Sequence, residues 1–237
     1  MLPREQETLL GAFLERVRAI YGNDLVSAIL YGSAAGGELP DRHSNINLLV
    51  VLADTGLPTL AKVSGLVGSR RFRAIAPVFF TEAYMRNSAD VFPIEFLDMK
   101  ENYAVLYGKD VLKDLAVDLK NLRFQCEQEL KSKLIQIKRQ YITAKGKGDL
   151  ERLLFRNFTS AVHILRNLLR LKGQTPPYQK NIILSDVERS FAVKTTVMNE
   201  VLWAKTKNMP LTEKDLDGLL IGFVGELESV TGIVDMM

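Results

Sequence analysis

The first half of the chain alternates between short apolar runs and amphipathic stretches, a pattern typical of a mixed α/β domain. Apolar residues recur with helical spacing over 3–20 and predict a first helix. Short apolar runs bounded by turn residues predict four strands, at 25–31, 46–52, 75–80 and 92–97. The segment 103–107, which is closed by Gly108, fits either an edge strand or a turn.

After about residue 112 the strand signals stop, and longer amphipathic segments follow. Helices are predicted over 119–143, from a cap at Asp149 to about 172, from a cap at Ser185, and from a cap at Thr212. This half therefore predicts an all-α helical bundle. We expect two domains, 1–112 and 113–237.

Composition narrows the class of protein. The formal net charge of +3 over 237 residues makes a nucleic-acid partner unlikely. Cys126 is the single cysteine, which excludes an intrachain disulfide and a cysteine-rich metal site. No apolar run approaches the ~20 residues that a membrane-spanning helix needs. We expect a cytoplasmic protein without a membrane partner. The composition does not decide between a monomer and a homodimer.

The segment that joins the first two predicted strands carries the candidate chemistry. Gly32-Ser33 ends one strand, and Asn45-Ile46-Asn47 begins the next. Glycine permits a close backbone approach, and backbone amides with a serine hydroxyl can hold a phosphate. Side chains at i and i+2 of a strand point to one face, so those of Asn45 and Asn47 can reach the same ligand.

These motifs resemble the DNA polymerase β-type nucleotidyltransferase superfamily, which includes antibiotic and minimal nucleotidyltransferases. The family pattern is a hydrophobic residue, Gly, then Gly or Ser, a loop of about ten residues, and an acid–hydrophobic–acid strand start. Here it is Tyr31-Gly32-Ser33, the loop 34–44, and Asn45-Ile46-Asn47. The resemblance implies an α/β (α+β) nucleotidyltransferase fold with a mixed sheet, followed by a helical domain that binds a substrate or partner.

The resemblance also implies an activity and a set of roles. The family reaction moves a nucleoside monophosphate from a nucleoside triphosphate to a hydroxyl with the help of Mg²⁺. Gly32 and Ser33 would hold the nucleotide, and Asn45 and Asn47 stand at the family's metal-ligand positions. Glu95, in the predicted fourth strand, would be the third metal ligand or the catalytic base. Asp98 is a second candidate for the third acid, Glu38 and Asp41 of the loop are candidates to compensate for the missing charge, and His43 of the loop is a candidate nucleotide contact.

Asparagine at both metal positions changes the expected function. Each lost charge beside a divalent cation is worth at least ~4 kcal/mol at an effective dielectric near 20. If only half of that energy is lost at each of the two positions, metal binding or the reaction rate falls roughly a thousandfold. We therefore predict a protein that binds a nucleotide or a partner with weak or no catalysis. The alternative is an active Mg²⁺-dependent transferase with a small-molecule or protein acceptor.

The helix predicted from Asp149 carries a stripe of basic and polar residues opposite an apolar face: Arg152, Arg156, Thr159, His163, Arg166 and Arg170. This stripe is either a solvated face or a wall that binds anions such as phosphates. The spacing of Arg156 and His163 also resembles that of helical ribonucleases, which gives a second alternative function.

Overall fold

The computed structural model describes residues 3–36 and 45–237. The chain forms two compact units, Met1–Asp118 and Leu119–Met237. Among the described residues, no helix combines the length and the apolar character needed to cross a membrane.

A mixed sheet of four strands organises the described part of the first unit. Helix α1 (Arg4–Tyr21) precedes the sheet, whose strands are β1 (Leu25–Tyr31), β2 (Ile46–Leu52), β3 (Ile75–Phe80) and β4 (Tyr103–Gly108). The strand order is β3-β2-β1-β4, with β2 parallel to β3 and β1 antiparallel to β2 and β4. The predictions for β1, β2 and β3 are confirmed, and the uncertain segment 103–107 is the edge strand β4.

Both faces of this sheet are covered by apolar side chains. One face packs against Phe13 and Val17 of α1. Helices also separate the last strands, namely α2 (Leu57–Ala61), α3 (Ser64–Val67), α4 (Glu82–Ser88) and α5 (Pro93–Glu101). Met85 of α4 and Phe96 of α5 pack on the second face. Burial on both sides explains why β2 is an almost continuous apolar run.

The predicted strand at 92–97 is wrong, because these residues begin helix α5. Pro93 occupies the first turn of the helix, where its missing N–H costs no hydrogen bond. Pro93, Phe96 and Met99 are buried at a spacing of three residues, which suits a helix. The buried pair Ile94 and Phe96, flanking exposed Glu95, gave the false appearance of strand alternation.

Pro77 lies within β3, where it pairs with Leu48 of β2. Strand β3 is at the edge of the sheet. Proline lacks a backbone donor, and sheets tolerate it chiefly in edge strands. The position of β3 in the strand order therefore accounts for Pro77.

The second unit, which is described throughout, is a bundle of five helices. They are α6 (Leu119–Thr143), α7 (Lys147–Leu171), α8 (Lys180–Phe191), α9 (Thr196–Lys207) and α10 (Glu213–Asp235). Helix α6 has the predicted bounds. The predicted start of the last helix at Thr212 is confirmed, and the structure adds a capping box there, in which the side chains of Thr212 and Asp215 each bond the other residue's backbone.

Two predicted helix starts are wrong. Helix α7 begins at Lys147 after Gly146, and Asp149 lies in its first turn, where its carboxylate accepts a hydrogen bond from Lys145 N at 3.0 Å. Ser185 lies in the middle of α8, because the apolar residues Ile183 and Leu184 before it are already helical and buried. Helix α9 was not predicted.

Candidate functional site

The chain turns sharply at Gly32, immediately after β1. Gly32 has a φ of +80°, a backbone conformation that residues with a β-carbon rarely adopt. Its N–H donates to Asn102 O at 2.9 Å, and its carbonyl accepts from the N–H groups of Ala35 and Gly36 at 3.0 and 3.1 Å. The turn is thus held by backbone hydrogen bonds at both of its ends.

Asn47 lies against this turn. It is opposite Tyr31 in the antiparallel β1–β2 register, one residue before Gly32. A β-carbon placed on Gly32 would lie 3.2 Å from Asn47 Nδ2. The structure therefore brings Gly32 and Asn47 together. Ser33 is half-buried in the same turn, and Asn45 is exposed just before β2.

Asn102 is a member of this group that sequence reasoning missed. It lies between α5 and β4, and its backbone carbonyl anchors Gly32. A β-carbon on Gly36 would lie 3.2 Å from Asn102 Cγ, so the side chain of Asn102 lies beside the far end of the turn. No local motif marks Asn102. Its position depends on the pairing of β4 with β1.

The sheet face beside Asn47 also carries Tyr31, which pairs with Tyr103 on its other side. Tyr31 packs with the cluster formed by α4 and α5. Burial raises the pKa of the Tyr31 phenol, and the negative charge of Asp98 on α5 raises it further. The charge of Asp98 on α5 therefore acts on the Tyr31 phenol.

Glu95 does not lie in a strand beside Asn45 and Asn47. It is exposed in the first turn of α5, so its placement as a mid-strand third acid is wrong. The strand that does run beside β2 is β3, where Ala76 pairs with Asn47. Strand β3 consists of apolar residues and contributes no carboxylate.

Among the described residues, those beside the Gly32 turn at positions 45, 47 and 76 offer no carboxylate to a magnesium ion. Magnesium prefers oxygen ligands and is usually held by one or two carboxylates together with substrate phosphates. Positions 45 and 47 supply side-chain amides, and the side chain of Ala76 has no atom that can coordinate a metal ion. Within 3–36 and 45–237, no group of three or more His, Cys, Asp or Glu side chains is arranged so that it could hold a metal ion. Glu38, Asp41 and His43 lie outside the described residues.

The architecture can be compared with known proteins. No protein-family model matches the chain, and no curated protein matches it in sequence. Among solved structures, it is similar to the spectinomycin adenyltransferase AAD(9) from Enterococcus faecialis with ATP and spectinomycin. The TM-score is 0.59 at 13% identity, over 94% of this chain and 98% of that chain.

The chain has a nucleotidyltransferase fold. The mixed sheet followed by a helical C-terminal unit agrees with the predicted fold class. At this identity the similarity speaks for the fold, and the chemistry has to be argued from the residues themselves.

The basic stripe predicted on α7 divides into two parts. Arg152, Arg156, Thr159 and His163 are exposed. Arg166 and Arg170 are buried, with 5% and 8% of their surface exposed, so their assignment to an exposed stripe is wrong. The later turns of α7 are surrounded by the rest of the helical unit, which a single-helix pattern does not reveal.

The two buried arginines bind groups of their own unit. Arg166 donates to the carbonyls of Pro177 and Pro176 at 3.0 and 3.2 Å, and its guanidinium lies 4.2 Å from the ring centre of Tyr178. Arg170 donates to the side-chain oxygen of Asn167. Both residues therefore hold the helical unit together.

Proposed function

We propose that this protein binds a nucleoside triphosphate at the Gly32 turn, and that it transfers nucleoside monophosphates weakly or not at all. The observation that carries the proposal is the side-chain amide of Asn47, which lies against Gly32 with apolar Ala76 beside it in β3. The turn keeps the features that suit a phosphate, while the neighbouring strands lack acids.

The nucleotide part of the proposal rests on the turn and on the fold. Ser33 offers a hydroxyl, and backbone amides after a glycine turn can surround an anion. The similar adenyltransferase structure contains ATP and spectinomycin. Nucleoside triphosphate is therefore the ligand class to test first. If transfer occurs, a small molecule is the first acceptor class to test.

The catalytic part rests on charge. An amide oxygen can contact a cation but does not supply the charge that an ionised carboxylate supplies. Stabilising a leaving pyrophosphate by paired metal ions requires those ions to stay bound through the reaction. Asn45 and Asn47 stand at the metal-ligand positions without the charge of carboxylates. We therefore expect nucleotide binding to be retained more fully than catalytic turnover.

Two other functions stay as predictions. An active transferase would bind its metal through Glu95, Asp98 or the acids of the loop 34–44. Asp98 acts electrostatically on Tyr31, which pairs with Asn47. A ribonuclease would use Arg156 and His163, which are both exposed on α7.

The catalytic proposal is tested by restoring the acids. We expect the Asn45→Asp/Asn47→Asp double variant to bind Mn²⁺ at least about tenfold more tightly than the native chain in the presence of a non-hydrolysable ATP analogue. Magnesium-dependent release of pyrophosphate from ATP should rise in the same variant. Asn23→Asp, an exposed position outside the site, is the control. Equal Mn²⁺ affinity and equal, robust release by the native chain would overturn the proposal.

The nucleotide proposal is tested separately by calorimetry with ATP in metal-free buffer. Ser33→Ala should weaken ATP binding, whereas Ser132→Ala, on the exposed side of α6, should not. Failure of the native chain to bind ATP would exclude the nucleotide site and leave a partner-binding role.

A further inference from the structure

A concave surface on the helical unit, here called the α7 groove, is lined by residues of α7 and by Lys205 of α9. Arg152, Arg156, Thr159 and His163 follow one another at i, i+4, i+7 and i+11, so they share one exposed stripe of α7. Lys205 of α9 lines the same groove, which has a volume of about 770 Å³.

Lys205 is fixed in the wall of this groove. Its ammonium donates to the carbonyl of Phe155 at 3.1 Å and to the hydroxyl of Thr159. The same ammonium lies 6.0 Å from the centre of the Phe155 ring. Both hydrogen-bond acceptors are neutral, so these bonds orient the positive charge of Lys205 without cancelling it.

Positive charges accumulate around the groove. Burial lowers the pKa of Lys205, and the nearby charge of Lys180 lowers it further. Burial also lowers the pKa of Lys133, with Glu129 opposing this change and Arg156 adding to it. Lys180 thus lies close enough to Lys205, and Arg156 close enough to Lys133, for the like charges to repel each other, and a bound anion would relieve this repulsion.

Acidic residues offset only part of this charge. Among the described residues that line the groove, Glu151 is the one carboxylate. Asp149 contacts Arg152 at 3.4 Å, but the Arg152 side chain remains 74% exposed and can turn toward a ligand. Ion pairs as exposed as this one contribute little and are easily exchanged.

We propose that the α7 groove binds a small organic molecule that carries a phosphate or polyphosphate group. The guanidinium groups of Arg152 and Arg156 offer paired donors that match phosphate oxygens, and Lys205 supplies a fixed positive charge. Phe155 offers an apolar surface for the uncharged part of the ligand. The volume lies within the ~300–1,000 Å³ typical of small-molecule sites.

The residues of this site belong to α7 and α9, and none of them is a residue of the Gly32 turn. The experiment uses the full chain and inorganic tripolyphosphate as the probe, with the dissociation constant measured by calorimetry in metal-free buffer at low salt. The variants are Arg156→Gln, Arg152→Gln and Lys205→Gln. Arg139→Gln, an exposed charge on α6 outside the groove, is the matched control.

Arg156→Gln is expected to weaken tripolyphosphate binding about tenfold or more, as does loss of one charge-assisted hydrogen bond. Lys205→Gln should act in the same direction, and Arg139→Gln should change the constant by less than about twofold. Thermal unfolding checks that each variant folds. If Lys205→Gln does not fold, the two exposed arginine variants decide the result.

Three outcomes would overturn the inference. The first is equal weakening by Arg156→Gln and Arg139→Gln, which indicates general charge attraction. The second is loss of binding in Ser33→Ala together with full binding in Arg156→Gln, which places the probe at the Gly32 turn and leaves the nucleotide proposal intact. The third is tighter, Arg156-dependent binding of a polyglutamate peptide than of tripolyphosphate, which assigns the groove to an acidic protein partner.

Discussion

Asn47 Nδ2 lies 3.2 Å from the point that a β-carbon would occupy on Gly32. The two residues are brought together by the antiparallel register, in which Asn47 is opposite Tyr31. A glycine at position 32 therefore serves two purposes. It adopts a φ of +80°, and it leaves room for the amide of the neighbouring strand.

Gly32→Ala should lower the free energy of unfolding by about 1–2 kcal/mol, because alanine is strained at this φ and its methyl group crowds Asn47. Urea denaturation measures the change. Gly11→Ala in α1 is the control, since a β-carbon there meets nothing within 4 Å. That control should be neutral or stabilising by about 0.5–1 kcal/mol. Equal effects of the two substitutions would contradict this account.

Asp98→Asn should lower the pKa of the Tyr31 phenol while leaving it above its ordinary value of 10.0, because burial is the larger cause of the increase. Carbon-13 labelling of tyrosine followed by NMR, with Tyr31→Phe for assignment, measures this pKa. Glu95→Gln is the control, since Glu95 is exposed on α5. An equal shift from Glu95→Gln would contradict the assignment of this electrostatic effect to Asp98.

The same phenol links stability to pH. The folded state holds the Tyr31 proton more tightly than the unfolded state does. Its contribution to stability is therefore fully present below the unfolded pKa and is lost as the pH rises through the folded pKa. Tyr31→Phe should reduce the fall of the urea midpoint above about pH 10. An unchanged alkaline fall would show that other groups dominate it.

Arg166→Lys should destabilise the protein by about 1–3 kcal/mol, although it keeps the charge. Lysine cannot reproduce the contacts of one guanidinium with two proline carbonyls and the Tyr178 ring. Arg152→Lys, the same change at an exposed site of α7, should stay within about 0.5 kcal/mol. Chemical denaturation compares the two variants. Similar losses would argue against the separation of the stripe into buried and exposed parts.

Cys126 should resist thiol reagents in the folded protein. It is fully buried in α6, and burial raises the pKa of its thiol to about 12. Because the thiolate is the reactive form, alkylation by iodoacetamide at pH 8 should follow unfolding. Mass spectrometry along a urea series measures this dependence. Rapid labelling without denaturant would contradict the burial of Cys126.

Parts of this structure follow from local pattern alone. The run Ile46–Leu52 is apolar enough to predict a strand buried on both faces, and Gly32-Ser33 predicts the turn before it. The helix start at Thr212 could also be predicted from the local sequence, since its capping partner Asp215 lies three residues away. In each case the interacting groups are close in sequence.

Other parts depend on contacts between distant segments. The importance of Ala76 and Asn102 follows only from the pairing of β3 with β2 and of β4 with β1. Arg166 is buried because of carbonyls at 176 and 177, which a helical pattern does not include. At 92–97 the local pattern fitted both strand and helix, and the position of Pro93 favoured the helix.

Pro77 has a consequence for association between copies of the protein. A strand added outside β3 would find no backbone donor at residue 77, so the new pairing would be interrupted in the middle of a strand of only six residues. Growth of the sheet from that side, whether in a dimer or in an aggregate, is thereby disfavoured. Pro77 therefore disfavours pairing between β3 and a strand of another molecule.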